Sequence, residues 1–482
     1  MTSVAKLELN SITEFQKEIH QPTVDDTGNP EPITSVFYHE FQKSTWYTHI
    51  LVKIPCSLDD DNYVFKANNT FHYLKYTYIV QAFPSIRIKP EFRDQYKVCW
   101  PHNLAINTIK QARFDVDDDP FAWFDHIWLD EYYQHFMKPG FRDHHNINVG
   151  NVPFLENWTD ELPFYETSLH QPWPYAQDTG CAFPLYFCSK DTSVSHVYEM
   201  NNRVADLLRM AKAVTDKNGD KVWMEMKDVD FTVLEGVSPV SKLKRPEMWG
   251  CYAYVTDNEV EWNTSCNDSE GKVFYINDVV ACDQTNSEKY GKSAVVDLYC
   301  ETPCKAIFWV AENVDSTDKR NYSNYTTDST NLYQGWNPIE HITLKYGKTT
   351  RINQMKSLHF ERMQSWYHLS SPPAVAGYNV YSLADNCVSL DAEVGLVFSK
   401  LRGTRMIFSL KNTDPFQQKS KFYSEEEEYS EADEYLDSHA SYVEDTEPDP
   451  RYNSPNFRMR VRLLVMKKLK IEKKGDKYEF SI

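Results

Sequence analysis

The sequence predicts an all-β protein made of two β-sandwich halves, and three observations carry that prediction. Aromatic residues fill 14% of the 482 positions, with 31 Tyr and 26 Phe, and aromatic and β-branched side chains favour half-buried, pleated surfaces. Proline is plentiful at 24 and glycine scarce at 15, which suits strands whose loops and edges are ordered. Segments that alternate or run apolar over strand length recur along the whole chain. Long polar connections separate them, and the regular helices of a βαβ fold are missing.

Taken in order, the expected strands are YTHILVKIP (47–55), HYLKYTYIVQAF (72–83), KVWMEM (221–226), AIFWVA (306–311), HITLKYG (341–347) and RMIFSLKN (405–412). The chain ends in RMRVRLLVMKKLKIEKKGDKYEFSI, which reads as a long strand through Ile471, a turn centred on KKGDK and a short closing strand. Two helical patches interrupt this pattern. DDPFAWFDHIWLDEYYQHFM offers Asp119 as N-cap and Pro120 at the first helical position, with Phe124, Trp128, Tyr132 and Phe136 at four-residue spacing. NNRVADLLRMAKAV puts Val204, Leu207, Leu208 and Ala211 on one helical face. Both stripes read as helices that cover a sheet edge or end.

The chain exceeds the usual size of one domain. The polar TDKNGDK and the following VSPVSKLKRPEMWG suggest a division near residue 240, giving an N-terminal half of 1–240 and a C-terminal half of 241–482. Roughly the first 30 residues read as an extended arm. No repeat is visible between the halves, so any duplication must be structural.

The formal charge is −19. That disfavours packing against phosphate backbones, where Lys and Arg must replace counterions, and adhesion to anionic membranes. Much of the acidity sits in the stretch 424–450, with twelve Asp or Glu and no Lys or Arg. It reads as a solvated loop. Ten cysteines in a chain of this length do not make a disulfide scaffold; only Cys300 and Cys304, in CETPC, are close, without a second pair at zinc-finger spacing. The N-terminus lacks the apolar stretch of a signal peptide, and no run of 18 apolar residues appears. The expectation is a soluble protein made in a reducing compartment, with its six Asn-x-Ser/Thr sequons unused.

Catalytic and cofactor motifs fail on spacing. YGKSAV has Gly291-Lys292-Ser293, but Asn286 stands where a phosphate-binding loop needs its first glycine. DVDDDP imitates the start of a calcium loop, but Pro120 takes the glycine position and His126 the final glutamate position. His359, Glu361 and His368 match no helical HExxH geometry. In an extended strand His359 and Glu361 would simply share one polar face. No catalytic, cofactor or metal residues are therefore expected, and an enzymatic role is not.

A more specific signal runs through the second half. KAIFWVAEN (305–313), NPIEHITLKYGKTTRI (337–352), SLHFERMQSWYHLSSPPAVAGYNVYSLA (357–384), VGLVFSKLRGTRMIFSL (394–410) and MRVRLLVMKKLKIEKKGDKYEFSI (459–482) follow one another in order. Together they resemble the second jelly roll of the major capsid proteins of nucleocytoplasmic large DNA viruses. Leu344, Gly347 and Arg351 follow that family's first strand element. Phe360, Trp366 and His368 follow its second. Gly377, Tyr378, Tyr381, Ser382 and Leu383 follow the third, and Leu469, Ile471, Gly475 and Phe480 the last. Gly395, Phe398 and Ser399 keep their places, while Glu393-Val394 and Val397 depart from the family's Pro-Ser and Asn, which marks a divergent member. More loosely, FYHEFQKSTWYTHILVKIP, ARFDVDDDPFAWFDHIWLDEYYQHFM and PWPYAQDTGCAFPLYFCSKD resemble pieces of the first jelly roll, so the likeness spans roughly residues 35 to 482.

The resemblance implies two tandem eight-stranded jelly rolls with long loops and a few short helices. It further implies a structural capsid protein without cofactors that forms a homotrimeric, pseudo-hexagonal capsomer. The partners implied are itself, neighbouring capsomers and minor capsid or penton proteins. Nucleic acid is not contacted directly, and an inner membrane only indirectly. The place implied is the virion capsid, assembled in the host cytoplasm. The acidic loop 424–450 would face outward, and neighbouring capsomers of this charge should be bridged by minor proteins or divalent cations. Two alternatives remain at this stage: a minor capsid or transient membrane-scaffold protein of the same fold, and a β-sandwich carbohydrate-active enzyme with paired carboxylates.

Overall fold

The computed structural model describes residues 46–138, 140–189, 192–215, 219–265, 272–283, 293–384, 387, 395–401, 403–410, 457–474 and 477–481. The N-terminal arm, the acidic stretch 424–450 and Gly475 lie outside them. Among the described residues, Cys56–Asp59, Phe183–Pro184 and Lys477–Ser481 pair at the edges of two sandwiches framed by sixteen strands. In the first these are β1 (Tyr47–Ile54), β2 (Asn62–Lys66), β3 (Tyr73–Phe83), β4 (Ile109–Val116), β5 (Asp119–Asp125), β6 (Tyr165–His170), β7 (Val194–Met200) and β8 (Glu247–Val255). In the second they are β9 (Lys272–Ala281), β10 (Ser293–Asp297), β11 (Cys304–Asn313), β12 (Ile339–Tyr346), β13 (Thr349–Lys356), β14 (Asn379–Ser382), β15 (Thr404–Leu410) and β16 (Phe457–Lys474).

The first sandwich pairs its strands in the orders β1–β8–β3–β6 and β2–β7–β4–β5, all antiparallel. The second reads β9–β16–β11–β14 and β10–β15–β12–β13. Adding eight to each strand number converts one order into the other. This strand order is that of an eight-stranded jelly roll, so the chain is a double jelly roll whose duplication survives in topology and not in sequence.

β8 is hydrogen-bonded between β1 and β3. We therefore draw the division between the rolls within 256–271, and the boundary expected near residue 240 falls inside the connection that leads to β8.

Each strand crosses its sandwich once, so successive connections alternate between the two ends. At one end they are short or moderate: 67–72, 117–118 and 171–193 in the first roll, 298–303, 347–348 and 383–403 in the second. At the other lie nearly all the described elaborations: 84–108, 126–164 and 201–246, then 314–338 and 357–378. At this loop end the first roll adds two small sheets, Ile86–Ile88 with Glu161–Leu162 and Leu234–Glu235, and Tyr96–Cys99 with Arg209–Thr215 and Lys221–Met226. They enclose a core of their own around Trp100, Leu155 and Leu207.

Three local expectations are corrected. Residues 119–125 are strand β5, and the helix begins only at His126, with the Asp125 carboxylate accepting from the Trp128 N–H. The hairpin turns on Asp117 and Asp118, both at positive φ, so Asp119 caps nothing. The segment 201–214 is not a helix. Val204–Asp206 make one 3-10 turn, and Arg209–Thr215 form a strand held on both sides. His359 and Glu361 sit in a single π-helical turn, His359–Met363, and not in a strand.

Candidate assembly site: the junction between the rolls

β11 is buried along its full length, and its two faces serve different cores. Ile307, Trp309 and Ala311 fill the interior of the second roll. Ala306 and Phe308 belong to a core shared with the first roll, and Val310 packs with Ile127, Tyr325 and Tyr378. A strand covered on both faces reads as a continuous apolar run, which is why AIFWVA does not alternate.

The element that meets it is α1 (His126–His135). Trp128 lies edge-on to Phe308 at 5.3 Å, and Phe136 and His135 flank the same ring at 5.7 and 5.5 Å. Capping by Asp125 sets the start of this helix, so the hairpin before it aims the aromatic stripe at the second roll.

β16 supplies the polar half of the junction. Met459, Val461, Leu463 and Val465 point into the second roll, while Arg458, Arg460 and Arg462 alternate onto the other face. Arg462 is 2% exposed and joins Asp125 of the first roll to Asp283 of the second, both at 2.5 Å. Arg460 bridges Asp283 at 2.9 Å and Glu312 at 2.8 Å. Burial pushes the Asp125 carboxyl up, but the Arg462 charge and hydrogen bond, with His126 and the Trp128 N–H, outweigh it and hold Asp125 below the usual carboxylate range.

Deeper in α1 the balance reverses. Burial, reinforced by Asp130, raises the Glu131 carboxyl well above its ordinary value, and burial lowers His135 to about 3. Glu131 Oε2 and His135 Nε2 are 3.0 Å apart with both side chains fully buried. Two opposite shifts of this kind describe a neutral acid beside a neutral imidazole, not an ion pair. His135 Nδ1 lies 3.2 Å from Ser365 Oγ of the second roll.

The connection 314–338 completes the junction with buried polar groups. Tyr325 donates its hydroxyl to Asp130 at 2.8 Å, and Ser323 to Asn107 at 3.1 Å. Arg320 donates to the carbonyls of Ala205 and Lys227, and Tyr322 to that of Asp206. Arg209 donates back to the Thr330 carbonyl at 3.1 Å. Arg142, at the start of α2 (Arg142–Val149), reaches Ser371 and the Pro372 carbonyl. Long connections of both rolls thus interlock, and the loop ends point the same way.

The residues singled out by family resemblance spread around this scaffold. Phe360 and Phe398 lie in the second roll's interior, Phe360 at 5.3 Å from Trp309, with Tyr381 beside it. Tyr378 stands edge-on to Tyr325 at the junction, and Leu469 and Ile471 enter the shared core. Gly377 has φ +103°, and a Cβ there would come within 2.6 Å of the Tyr325 carbonyl oxygen. At Gly395 it would meet the Cys304 carbonyl oxygen at 2.8 Å. Gly347, at φ +56°, makes the β12–β13 turn, and Arg351 on β13 is exposed. Ser382 Oγ lies 2.8 Å from Cys387 Sγ, the Ser399 N–H donates to the Cys300 carbonyl, and His368 ends the helix Gln364–His368. They are spread through the fold and do not converge.

Asp125, Asp130, Asp283 and Arg462 were not singled out by sequence reasoning. The signal that could have found them is the Arg-x-Arg-x-Arg alternation of β16. Among the described residues no cluster of three His, Cys, Asp or Glu stands ready to hold a metal ion. Two surface cavities, of about 480 and 230 Å³, are lined by one carboxylate each, Glu361 and Glu156, so neither pairs carboxylates.

Comparison with known proteins agrees with this geometry. The model of the family described as large eukaryotic DNA virus major capsid protein matches residues 272–437. The major capsid protein of Tipula iridescent virus is 24% identical over 395 residues, covering 78% of this chain and 82% of its own. That of Simulium iridescent virus is 25% identical, covering 76% and 79%. Among solved structures, the Faustovirus major capsid protein superposes with a TM-score of 0.65 at 8% identity, covering 97% of both chains. A chain of the PBCV-1 virus capsid gives 0.64 at 11% identity, covering 93% of this chain and all of its own.

Proposed function

This chain belongs to the major capsid protein family of large eukaryotic DNA viruses, and from that premise we propose that it is the shell-forming subunit of its virion. Three copies close into a capsomer with six jelly rolls and a pseudo-hexagonal outline, and capsomers tile an icosahedral shell. The observation that carries this reading is the pair of identical strand orders locked side by side with their elaborated ends together. Two such units per chain turn threefold symmetry into an approximate sixfold outline.

Exposed aromatic side chains support self-association. Trp366, Tyr367 and Phe164 are each exposed by 60% or more, and apolar surface of this kind is normally covered in a partner interface. An obligate interface would bury on the order of thousands of Å². The role is structural, not enzymatic, with minor capsid proteins as further partners and the loop end facing outward.

The test is the solution mass of the purified chain by light scattering after size exclusion, with negative-stain images of the same peak. One species at three times the 56.5 kDa chain mass, seen as hexagonal plates, is expected. A chain that stays monomeric at high concentration would overturn the capsomer reading.

A further inference from the structure

The smaller of the two surface cavities, about 230 Å³, is built by connections of both rolls at the loop end. The first roll contributes Glu156, Trp158 and Arg209, and the connection 314–338 of the second contributes Asn321 and Tyr333. Shell formation makes no use of the space between them.

The polar groups around this space are held by the protein, yet each keeps an atom free. Glu156 Oε1 lies 2.6 Å from His102 Nδ1, whereas its Oε2 has no hydrogen bond among the described residues. Arg209, 6% exposed, donates from Nε to Glu225 at 2.6 Å and from Nη2 to the Thr330 carbonyl at 3.1 Å, and its Nη1 makes no such bond. Asn321 is 1% exposed; its Nδ2 donates to the Ser329 carbonyl, and its buried Oδ1 has no partner. Folded proteins rarely leave a buried acceptor in that condition unless water or a ligand meets it. Two aromatic rings complete the walls. The Arg209 guanidinium stands 5.4 Å from the Trp158 ring centroid, and Tyr333, 64% exposed, lies edge-on to His102 at 6.0 Å.

This combination discriminates between ligand classes. The Glu156 carboxylate disfavours an anion and the Arg209 guanidinium a cation, so a neutral ligand is favoured. Sugar hydroxyls both donate and accept, and they match two free acceptors facing one free donor. The aromatic rings offer the apolar contact that the C–H face of a pyranose needs. A cavity below the roughly 300–1,000 Å³ of sites for drug-sized molecules suits a single sugar ring.

We propose that this cavity binds one neutral pyranose ring, such as the terminal hexose of a glycan. It holds the ring without cleaving it, because hydrolysis by the usual route needs a second carboxylate, and Glu156 is the single one lining the cavity. In the proposed capsomer the site would stand at the outward-facing end, open to glycans outside the shell. Binding itself does not rest on that reading.

The test is saturation-transfer NMR on the full native chain with the methyl glycosides of glucose, galactose, mannose and N-acetylglucosamine. Methyl glucuronide and glucosamine serve as the anionic and cationic controls. At least one neutral glycoside is expected to bind with a Kd of about 1–10 mM, and the charged sugars at least about tenfold more weakly. Tyr333→Ala removes an exposed ring, and Glu156→Gln keeps an acceptor for His102. Each should weaken binding about fivefold or more, with a melting temperature within about 2 °C of the parent. No transfer to any neutral glycoside at about 50 mM would overturn the proposal and leave a water-filled cavity. Binding that survives both substitutions unchanged, or that favours a charged sugar, would overturn it too. Where Glu156→Gln fails to fold, Tyr333→Ala and the charged controls still decide. Because the measurement reads whichever species the chain forms, a monomer that binds sugar would defeat the capsomer reading and leave this one standing.

Discussion

Replacing Arg462 by Met keeps most of the side chain's volume but removes the charge between Asp125 and Asp283. Arg462 and Asp125 are 2% and 13% exposed at the side chain, whereas Asp283 is 30% exposed and can turn to water. Asp125 cannot, because its carboxylate also caps α1. The variant therefore strands one buried carboxylate, a situation that costs about 3–5 kcal/mol. A cooperative unit of 150–250 residues shifts by roughly 2–4 °C per kcal/mol, so calorimetry should find the melting temperature lower by about 6–20 °C. Adding Asp125→Asn removes the stranded charge while its amide oxygen still accepts from the Trp128 N–H. The double variant should recover at least about 1 kcal/mol over Arg462→Met alone. If Arg462→Met melts within about 2 °C of the parent, or the double variant is the less stable, the junction is not held in the way described.

Two further outcomes follow from other parts of the molecule. His196 is fully buried among the aromatic residues of the first roll, Nε2 2.7 Å from the Tyr175 hydroxyl, and burial lowers it to about 3. Its folded value lies below the unfolded 6.5, so its neutral form contributes stability above pH 6.5 that is lost as pH falls. The loss is about 1.4 kcal/mol per pH unit, or about 2 kcal/mol by pH 5. Urea titrations from pH 7 to pH 5 should show a shallower decline in His196→Asn than in the parent, and equal slopes would refute the assignment. Gly377→Ala forces a Cβ onto the Tyr325 carbonyl at a positive φ. It should lose at least about 2 kcal/mol, and a loss below about 0.5 kcal/mol in the same titration would count against the close approach.

How legible this fold was depends on whether local pattern and tertiary pairing agree. The long terminal strand and the AIFWVA strand stood out because their apolar periodicity matches their burial on the finished sheets. The segment 201–214 misled because Val204, Leu207, Leu208 and Ala211 are all buried at helical spacing, yet Arg209–Thr215 is claimed on both edges by other strands. The polar TDKNGDK beyond it, read as a linker, connects two strands of a hairpin. The helix at 126–135 was found, but its start was misplaced because an Asp117-Asp118 turn lacks the glycine that usually announces a hairpin. The candidate site was less legible still, since Asp125, Asp283 and Arg462 are far apart in sequence and meet only when the rolls dock.

The polarity of the junction has a further meaning for assembly. In a trimer of double rolls, six rolls must follow one another at steps of about 60° around the ring for it to close. Three of those steps lie between chains and can adjust as subunits meet. In the proposed trimer the other three would be set within each chain, by the contact of α1 with the second roll and of the second roll's connection 314–338 with the first. Apolar packing of Trp128 and Phe136 against Phe308 would resist separation but tolerate a slide of one roll along the other. The Asp125–Arg462–Asp283 bridge and the Tyr325–Asp130 hydrogen bond do not, because a shift of even about 1–2 Å leaves buried donors and acceptors unpaired. Shape and charge thus act on different coordinates. The aromatic face supplies adhesion between the rolls, and the buried polar groups set the angle at which they stand.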